Sequence, residues 1–366
     1  MGSKKLVLGC DSMKMTENTE QVINDTVRSR PLYLTKRRTV IVLAVLCGVL
    51  LIAFAVALAI GSEYVAVGKI FASLWAKLIG ADVPLSREQE VIVFSLRLPR
   101  IMLALAMGAA LAVAGAVFQA LLRNPLADPY VLGVSSGAAL GSIIGVMFFS
   151  QIAVARPLLG FIGASLTTFI VYRLGRRDSD PVRLLLAGIV MTTFLSSLIV
   201  LLTSVADSLR LRNISLWLLG DLSSGSTEGL ALIGAAIVIG AAMLVTQARA
   251  LNLMMIGERD AFALGVETAR VRAIVFFTAS LMTGVAVSAG GAIGYVGLVV
   301  PHLVRLAAGT DNRLVIPASA LAGAVLVLSA DTVARTMLAP RELPTGAITA
   351  LVGAPVFVYL LLRSRE

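Results

Sequence analysis

The chain has 366 residues, of which 58% are hydrophobic and 14% charged. Soluble domains carry about a quarter charged residues, and here apolar runs recur from residue 39 almost to the C-terminus, leaving no room for a soluble domain of ordinary size. The formal net charge of +10 does not mark a nucleic-acid binder, because Lys and Arg flank the apolar runs instead of forming one basic face with interleaved aromatics.

Residues 1–38 are polar and aperiodic, and are expected to form a mobile cytoplasmic tail ahead of a membrane domain over residues 39–366. Cys10 ends the tetrapeptide VLGC, but the apolar run before it is three residues long, far short of a signal-peptide core. Cys47 lies in the first apolar run. Neither cysteine has a CxxC partner or a nearby metal-ligand set.

A helix needs about 20 apolar residues to cross the hydrocarbon core. Charge-free runs of that order cover residues 39–60, 101–122, 131–155, 184–206, 229–248 and 343–362. Residues 157–172 and 314–330 are shorter, though the second extends past Asp331 toward Ala339. Residues 273–308, interrupted only by Arg305, make a run too long for one span and a little short for two. Gly290, Gly291, Gly294 and Gly297 punctuate its middle, so it reads as two short or tilted helices joined by a glycine turn. An all-α polytopic protein of about ten transmembrane helices results. An even number keeps both basic ends, Lys36-Arg37-Arg38 and Arg363-Ser364-Arg365, in the cytoplasm and divides Lys plus Arg about two to one in favour of that side.

Gly108, Ala112, Ala116 and Ala120 fall every fourth residue and put small side chains along one stripe of the second span, where another helix can approach closely. The stretch RNPLADP over residues 123–129 is the turn after it: proline ends the helix, while Asn and Asp satisfy turn backbone. Residues 250–272 form the largest cytoplasmic loop after the tail. In it Met254, Met255, Ala261 and Leu264 are expected on an apolar face, with Glu258, Arg259 and Asp260 toward water and Gly257 and Gly265 ending short helices. Such a segment suits helix-in-groove docking on a cytosolic protein, or lies on lipid headgroups.

His302 in VVPHLVR, the one histidine, admits a haem-ligand or proton-relay reading and a plain structural one near the inner end of its helix. On the opposite face, Arg97 and Arg100 in RLPR and Arg335 after Asp331 read as snorkelling anchors, or as cations for an incoming protein or anionic solute. There is no GxxxxGK[ST] loop and no mid-span carboxylate pair, so neither catalysis nor ion coupling has visible machinery. A transporter built this way takes its energy from a partner. The competing classes are a secondary transporter or channel acting alone, and a passive membrane scaffold.

The segments RLPR (97–100), GAALAVAGAVFQALLRNPLADPYVLGVSSGAALG (108–141), RLLLAG (183–188), GYVGLVVPHLVRLAAGTDNR (294–313), ADTVAR (330–335) and ELPTGAITALVGAPVFVYLLLR (342–363) resemble the FecCD family, the permease subunits of ABC importers for iron-siderophores, haem and cobalamin. The resemblance runs from about residue 40 to the C-terminus. It implies a ten-helix bundle like the cobalamin permease in a bacterial or archaeal plasma membrane, working as a homodimer with two cytosolic ATPase subunits and an extracytoplasmic solute-binding protein. ATP and Mg would sit on the ATPase, with no cofactor, metal or catalytic group on this chain. By the same resemblance Arg97, Arg100 and Arg335 meet acidic residues of the binding protein, and Asn124 and Leu126 form a cytoplasmic gate. Gly257, Glu258, Arg259, Ala261, Leu264 and Gly265 belong to the ATPase-coupling helices. A second gate known in some relatives would fall near Asp178-Ser179-Asp180-Pro181, and that role is not carried over. His302 belongs to a general VPH pattern independent of the solute.

Overall fold

The computed structural model describes residues 35–366 apart from 62, 81–83, 153, 176–180, 224–228, 340 and 364–366. The tail with Cys10, and most of the Asp178–Pro181 stretch, lie outside the described residues. Every regular element among the described residues is helical. In chain order they are α1 (Lys36–Ala59), α2 (Val67–Ile79), α3 (Arg87–Leu121), α4 (Val134–Phe148), α5 (Ala155–Gly175), α6 (Pro181–Ser204), α7 (Ser208–Leu218), α8 (Leu230–Thr246), α9 (Ala248–Ile256), α10 (Glu258–Ala263), α11 (Thr268–Gly290), α12 (Val296–Ala308), α13 (Asn312–Thr336) and α14 (Thr345–Arg363).

Each of the ten helices expected from the apolar runs is present, but their lengths differ from the expectation. Six helices, α1, α3, α5, α6, α11 and α13, are long and apolar enough to cross a membrane, and the pair α8–α9, bent by 50°, makes up to seven. The apolar helices α4, α12 and residues 345–360 of α14 are shorter than a full span. Length and composition therefore support fewer crossings than ten.

Helix α3 begins at Arg87 and not near residue 101. Ser86 caps it by accepting from Gln89 N at 3.2 Å. Its ladder widens to a π-helix over Val91–Arg97, just ahead of Pro99, whose ring supplies no N–H. The charged residues that made this stretch read as a loop are accommodated because Arg97 and Arg100 turn inward. Helices α2 and α7 are likewise additional to the ten expected helices.

Lipid tails are as apolar as a leucine side chain, so close packing and interhelical hydrogen bonds, not hydrophobicity, must hold these helices together. The small-residue stripe supplies the packing. A Cβ on Gly108 would collide with the Gly323 carbonyl of α13, and one on Gly115 with the Gly297 carbonyl of α12. Ala112, Ala116 and Ala120 are fully buried on the same helix. Conversely α1 exposes Val40, Val45, Leu51 and Ile52, a face suited to hydrocarbon.

The run over residues 273–308 does break at its glycines. Helix α11 ends at Gly290, Gly291 turns the chain with φ 78°, and α12 starts after Tyr295, itself at φ 66°. Only α12 is short; α11 has 23 residues. The freed backbone of the break is met by Tyr130, whose hydroxyl accepts from Ile293 N at 2.7 Å.

Candidate functional site

Two polar clusters lie at opposite ends of α3. The first centres on Asp331, fully buried near the end of α13. Arg100 donates through Nε to Asp331 Oδ1 at 2.9 Å and through Nη1 to Glu342 Oε2 at 2.7 Å. Arg335, one turn along α13, places Nε 3.1 Å from Asp331 Oδ2, an ion-pair distance with poor hydrogen-bond alignment. Its Nη2 donates to Ala57 O at 3.2 Å. Arg97 spends its fork on the end of α1, donating to Leu58 O at 2.9 Å, Ala59 O at 3.3 Å, and Glu63 O. Thr345 Oγ1 donates to Asp331 Oδ1 at 3.2 Å.

The structure thus brings Arg97, Arg100 and Arg335 together, and it also buries them: each is less than a tenth exposed. They are not snorkelling to water. With Gly61, Ser95 and Glu342 they line an open cleft of about 340 Å³. Asp331 and Glu342, which hold this cluster, are the residues the sequence reading passed over as site components. The ADTVAR stretch carried a signal, an Asp one turn before an Arg on a helix.

The second cluster is built around Arg305 of α12. Its Nη2 donates to Ala116 O at 2.9 Å and Asn312 Oδ1 at 3.4 Å, and its Nη1 to Gln119 Oε1 at 2.5 Å. Gln119 Nε2 donates to Gly297 O at 3.3 Å and Leu298 O at 3.1 Å. Asn312, fully buried, donates through N and Nδ2 to Asn252 Oδ1 of α9 at 2.9 and 2.8 Å. Asn252 Nδ2 donates to Asp311 Oδ1 at 2.8 Å. Asp311 also caps α13, accepting from Arg313 N, and hydrogen bonds from the Arg313 side chain hold its carboxyl down at about 2.

The turn over residues 122–133 adjoins this end. Arg123 adopts φ 49°, Asn124 N donates to Gln119 O at 3.2 Å, and Asn124 Oδ1 accepts from Leu126 N at 2.9 Å. Asn124 is half-buried and Leu126 is 48% exposed. Asp128 is buried with one hydrogen bond, from Tyr130 N at 2.8 Å, and burial pushes its carboxyl up to about 6.

Beside the turn, α9 and α10 form the two short helices expected over residues 250–272, divided at Gly257 and closed by Gly265 at φ 85°. Their faces differ from the expectation. Met254 and Ala261 are buried, but Leu264 is 65% exposed, together with Ile256 and Phe262, both 72% exposed. Arg259 and Asp260 face water as expected. Glu258 does not: its carboxylate pairs with Arg272 and lies 4.0 Å from Arg123. The helix is too short for periodicity to set its orientation, and the Glu258 pairings turn it.

His302 is half-buried on α12. Among the described residues no three His, Cys, Asp or Glu side chains converge as a metal set. Cys47 is exposed and unpaired in a disulfide.

The chain has well-defined relatives. It is 43% identical over 280 residues to the hemin transport system permease protein of Yersinia pestis, covering 74% of this chain and 83% of that one. It is 42% identical over 279 residues to the cobalamin import system permease protein of Halobacterium salinarum, covering 76% and 74%. A solved structure described as an inward-facing, metal-chelate-type ABC transporter superposes with a TM-score of 0.78 at 31% identity, covering 88% of this chain and 98% of that one. The model of the FecCD transport family matches residues 31–363. The chain belongs to the FecCD transport family.

Proposed function

We propose that the chain is the permease subunit of an ATP-driven importer that moves an iron chelate, as siderophore or haem, or cobalamin, into the cell. The observation that carries this reading is the identity above 40% with permeases of a hemin and a cobalamin system, across roughly three quarters of this chain. The permease makes and breaks no covalent bond. Two copies share a path at their interface, and cytosolic subunits holding ATP and Mg drive it between outward- and inward-open forms. The short helices α4, α12 and α14, added to the seven longer crossings, give ten, with both termini cytoplasmic in the plasma membrane of a bacterium or archaeon.

In this reading the Arg305 end faces the cytoplasm. Ile256, Phe262 and Leu264 form an apolar knob rimmed by Arg259 and Asp260, and it seats in a groove of the ATPase. Asn124 and Leu126 close the path, the exposed Leu126 meeting its counterpart in the second copy. At the other end, Arg97, Arg100 and Arg335 receive the solute-binding protein. Because Arg100 already holds Glu342, whose side chain is 48% exposed, an incoming carboxylate exchanges with Glu342 and does not meet a free cation.

Reconstitution with the cognate ATPase and binding protein in liposomes tests this. Uptake of hemin, a ferric siderophore or cyanocobalamin is expected only with ATP and both partners present. Uptake driven by an ion gradient without the ATPase would establish the secondary-transporter alternative. Against that alternative, the carboxylate of the buried Asp331 is already engaged by Arg100 and Arg335.

A further inference from the structure

We infer that Arg305 is a positioning residue that carries movement of the ATPase-facing helices to the cytoplasmic gate, an assignment that rests on the permease reading above. A continuous hydrogen-bonded path joins the two places. It runs from Asn252 on α9 to Asn312 at the start of α13, then to the Arg305 guanidinium, then to Gln119 near the end of α3. The backbone of Gln119 finishes it, because its carbonyl accepts from Asn124 N in the gate turn.

Three properties make this path a rigid link and not a set of incidental contacts. First, both ends of each amide are engaged. Gln119 accepts from Arg305 while donating to Gly297 O and Leu298 O, and Asn252 accepts from Asn312 while donating to Asp311. Neither can turn over without breaking bonds. Second, Gln119 and Asn312 are buried, so a broken link strands polar groups away from water, where an unmade hydrogen bond is costly. Sliding α9 while α3 stays still is therefore expensive; moving them together is not. Third, the hub is planar. The Arg305 fork reaches Ala116 O, Gln119 Oε1 and Asn312 Oδ1 in fixed directions, which a lysine ammonium on a flexible stem does not reproduce.

Gly115 and Gly297 strengthen the link. Their backbones touch where α3 crosses the start of α12, so the helix bearing Arg305 and the helix bearing the gate turn have no side-chain layer between them that could absorb a shift.

The test uses the assembled complex of permease, ATPase and binding protein in inside-out vesicles. Cys10 and Cys47 are replaced by serine and Leu126→Cys reports the gate. The readout is the rate of modification by a membrane-impermeant maleimide with and without Mg-ATP and vanadate, beside ATPase co-purification and thermal stability. With Arg305 intact, trapping the nucleotide state changes the rate. Arg305→Met should shrink that change about tenfold, the equivalent of one stranded buried group, with ATPase co-purification retained. Arg305→Lys should restore only part. Gln119→Leu, close in volume, should give a smaller loss in the same direction and keeps the test open if Arg305→Met does not fold. A full nucleotide response in Arg305→Met overturns the assignment. So does a loss that tracks thermal stability equally in all three variants, which is what a merely structural role predicts. If the complex with Arg305 intact gives no nucleotide response at all, the importer reading itself falls, and this assignment with it.

Discussion

The two ends of α3 solve the same problem in opposite ways. At the Asp331 end, buried arginines are balanced by carboxylates inside the chain, Asp331 and Glu342. At the Arg305 end, a single guanidinium is satisfied by a backbone carbonyl and two neutral amide side chains. Ion pairs withdrawn from water lose hydration and regain it as mutual attraction, so removing one member leaves an uncompensated charge. A neutral amide chain loses far less when cut, but its geometry is directional. The Asp331 end therefore reads as an anchor and the Arg305 end as a linkage.

Breaking the anchor should produce the largest effect. Asp331→Ala leaves Arg335 without a carboxylate and Arg100 with Glu342 alone, and is expected to cost about 3–5 kcal/mol, read as a large fall in the thermal unfolding temperature of detergent-solubilised protein. Asp331→Asn, which keeps the shape, should lose less. Equal losses would mean that packing and not charge dominates that end. At the linkage, Asn312→Leu should cost about 1–3 kcal/mol through the groups left without partners, visibly less than Asp331→Ala in the same assay.

Asp128 sharpens the comparison, because it is a buried carboxyl without a cation bonded to it. Its folded value near 6 lies above the unfolded value of about 4. Its contribution is thus most favourable below pH 4, declines as pH rises to about 6, and is a constant penalty above that. Asp128→Asn should accordingly raise stability at pH 8 by about 2–3 kcal/mol and change little at pH 4; an identical gain at both values would locate the effect elsewhere. Asp311 behaves in the reverse sense. Held at about 2, it stabilises fully above pH 4 and fades only as pH falls through 2. Asp311→Ala should cost about 1 kcal/mol at neutral pH through loss of the α13 cap, the smallest change of the four.

The sequence foretold what local pattern controls. Charge-free runs became helices, the glycines after residue 289 broke the long run, and the four-residue stripe became the packing face of α3. What escaped it depends on partners far away in the chain. Arg100 is answered by Asp331, 231 residues later, so its neighbourhood looked like a charged loop and proved to be helix. Likewise the orientation of α10 follows from the Glu258 pairings with Arg272 and Arg123, which no periodicity within six residues can encode. The turn over residues 122–133 was recognisable from its motif, but the amide chain leading to it was not, because Gln119, Asn252, Arg305 and Asn312 are scattered and individually ordinary.

The last turn of α1 carries a consequence for the order in which the protein is made. Helix ends leave carbonyls without partners in the helix itself, and here Ala57, Leu58 and Ala59 receive theirs from Arg97 and Arg335. One donor is nearly forty residues downstream and the other is 278 residues downstream. The first described helix must therefore wait, its last turn incompletely bonded, until the residues bearing both donors have been inserted. The end of α1 is completed only when α13 arrives beside it.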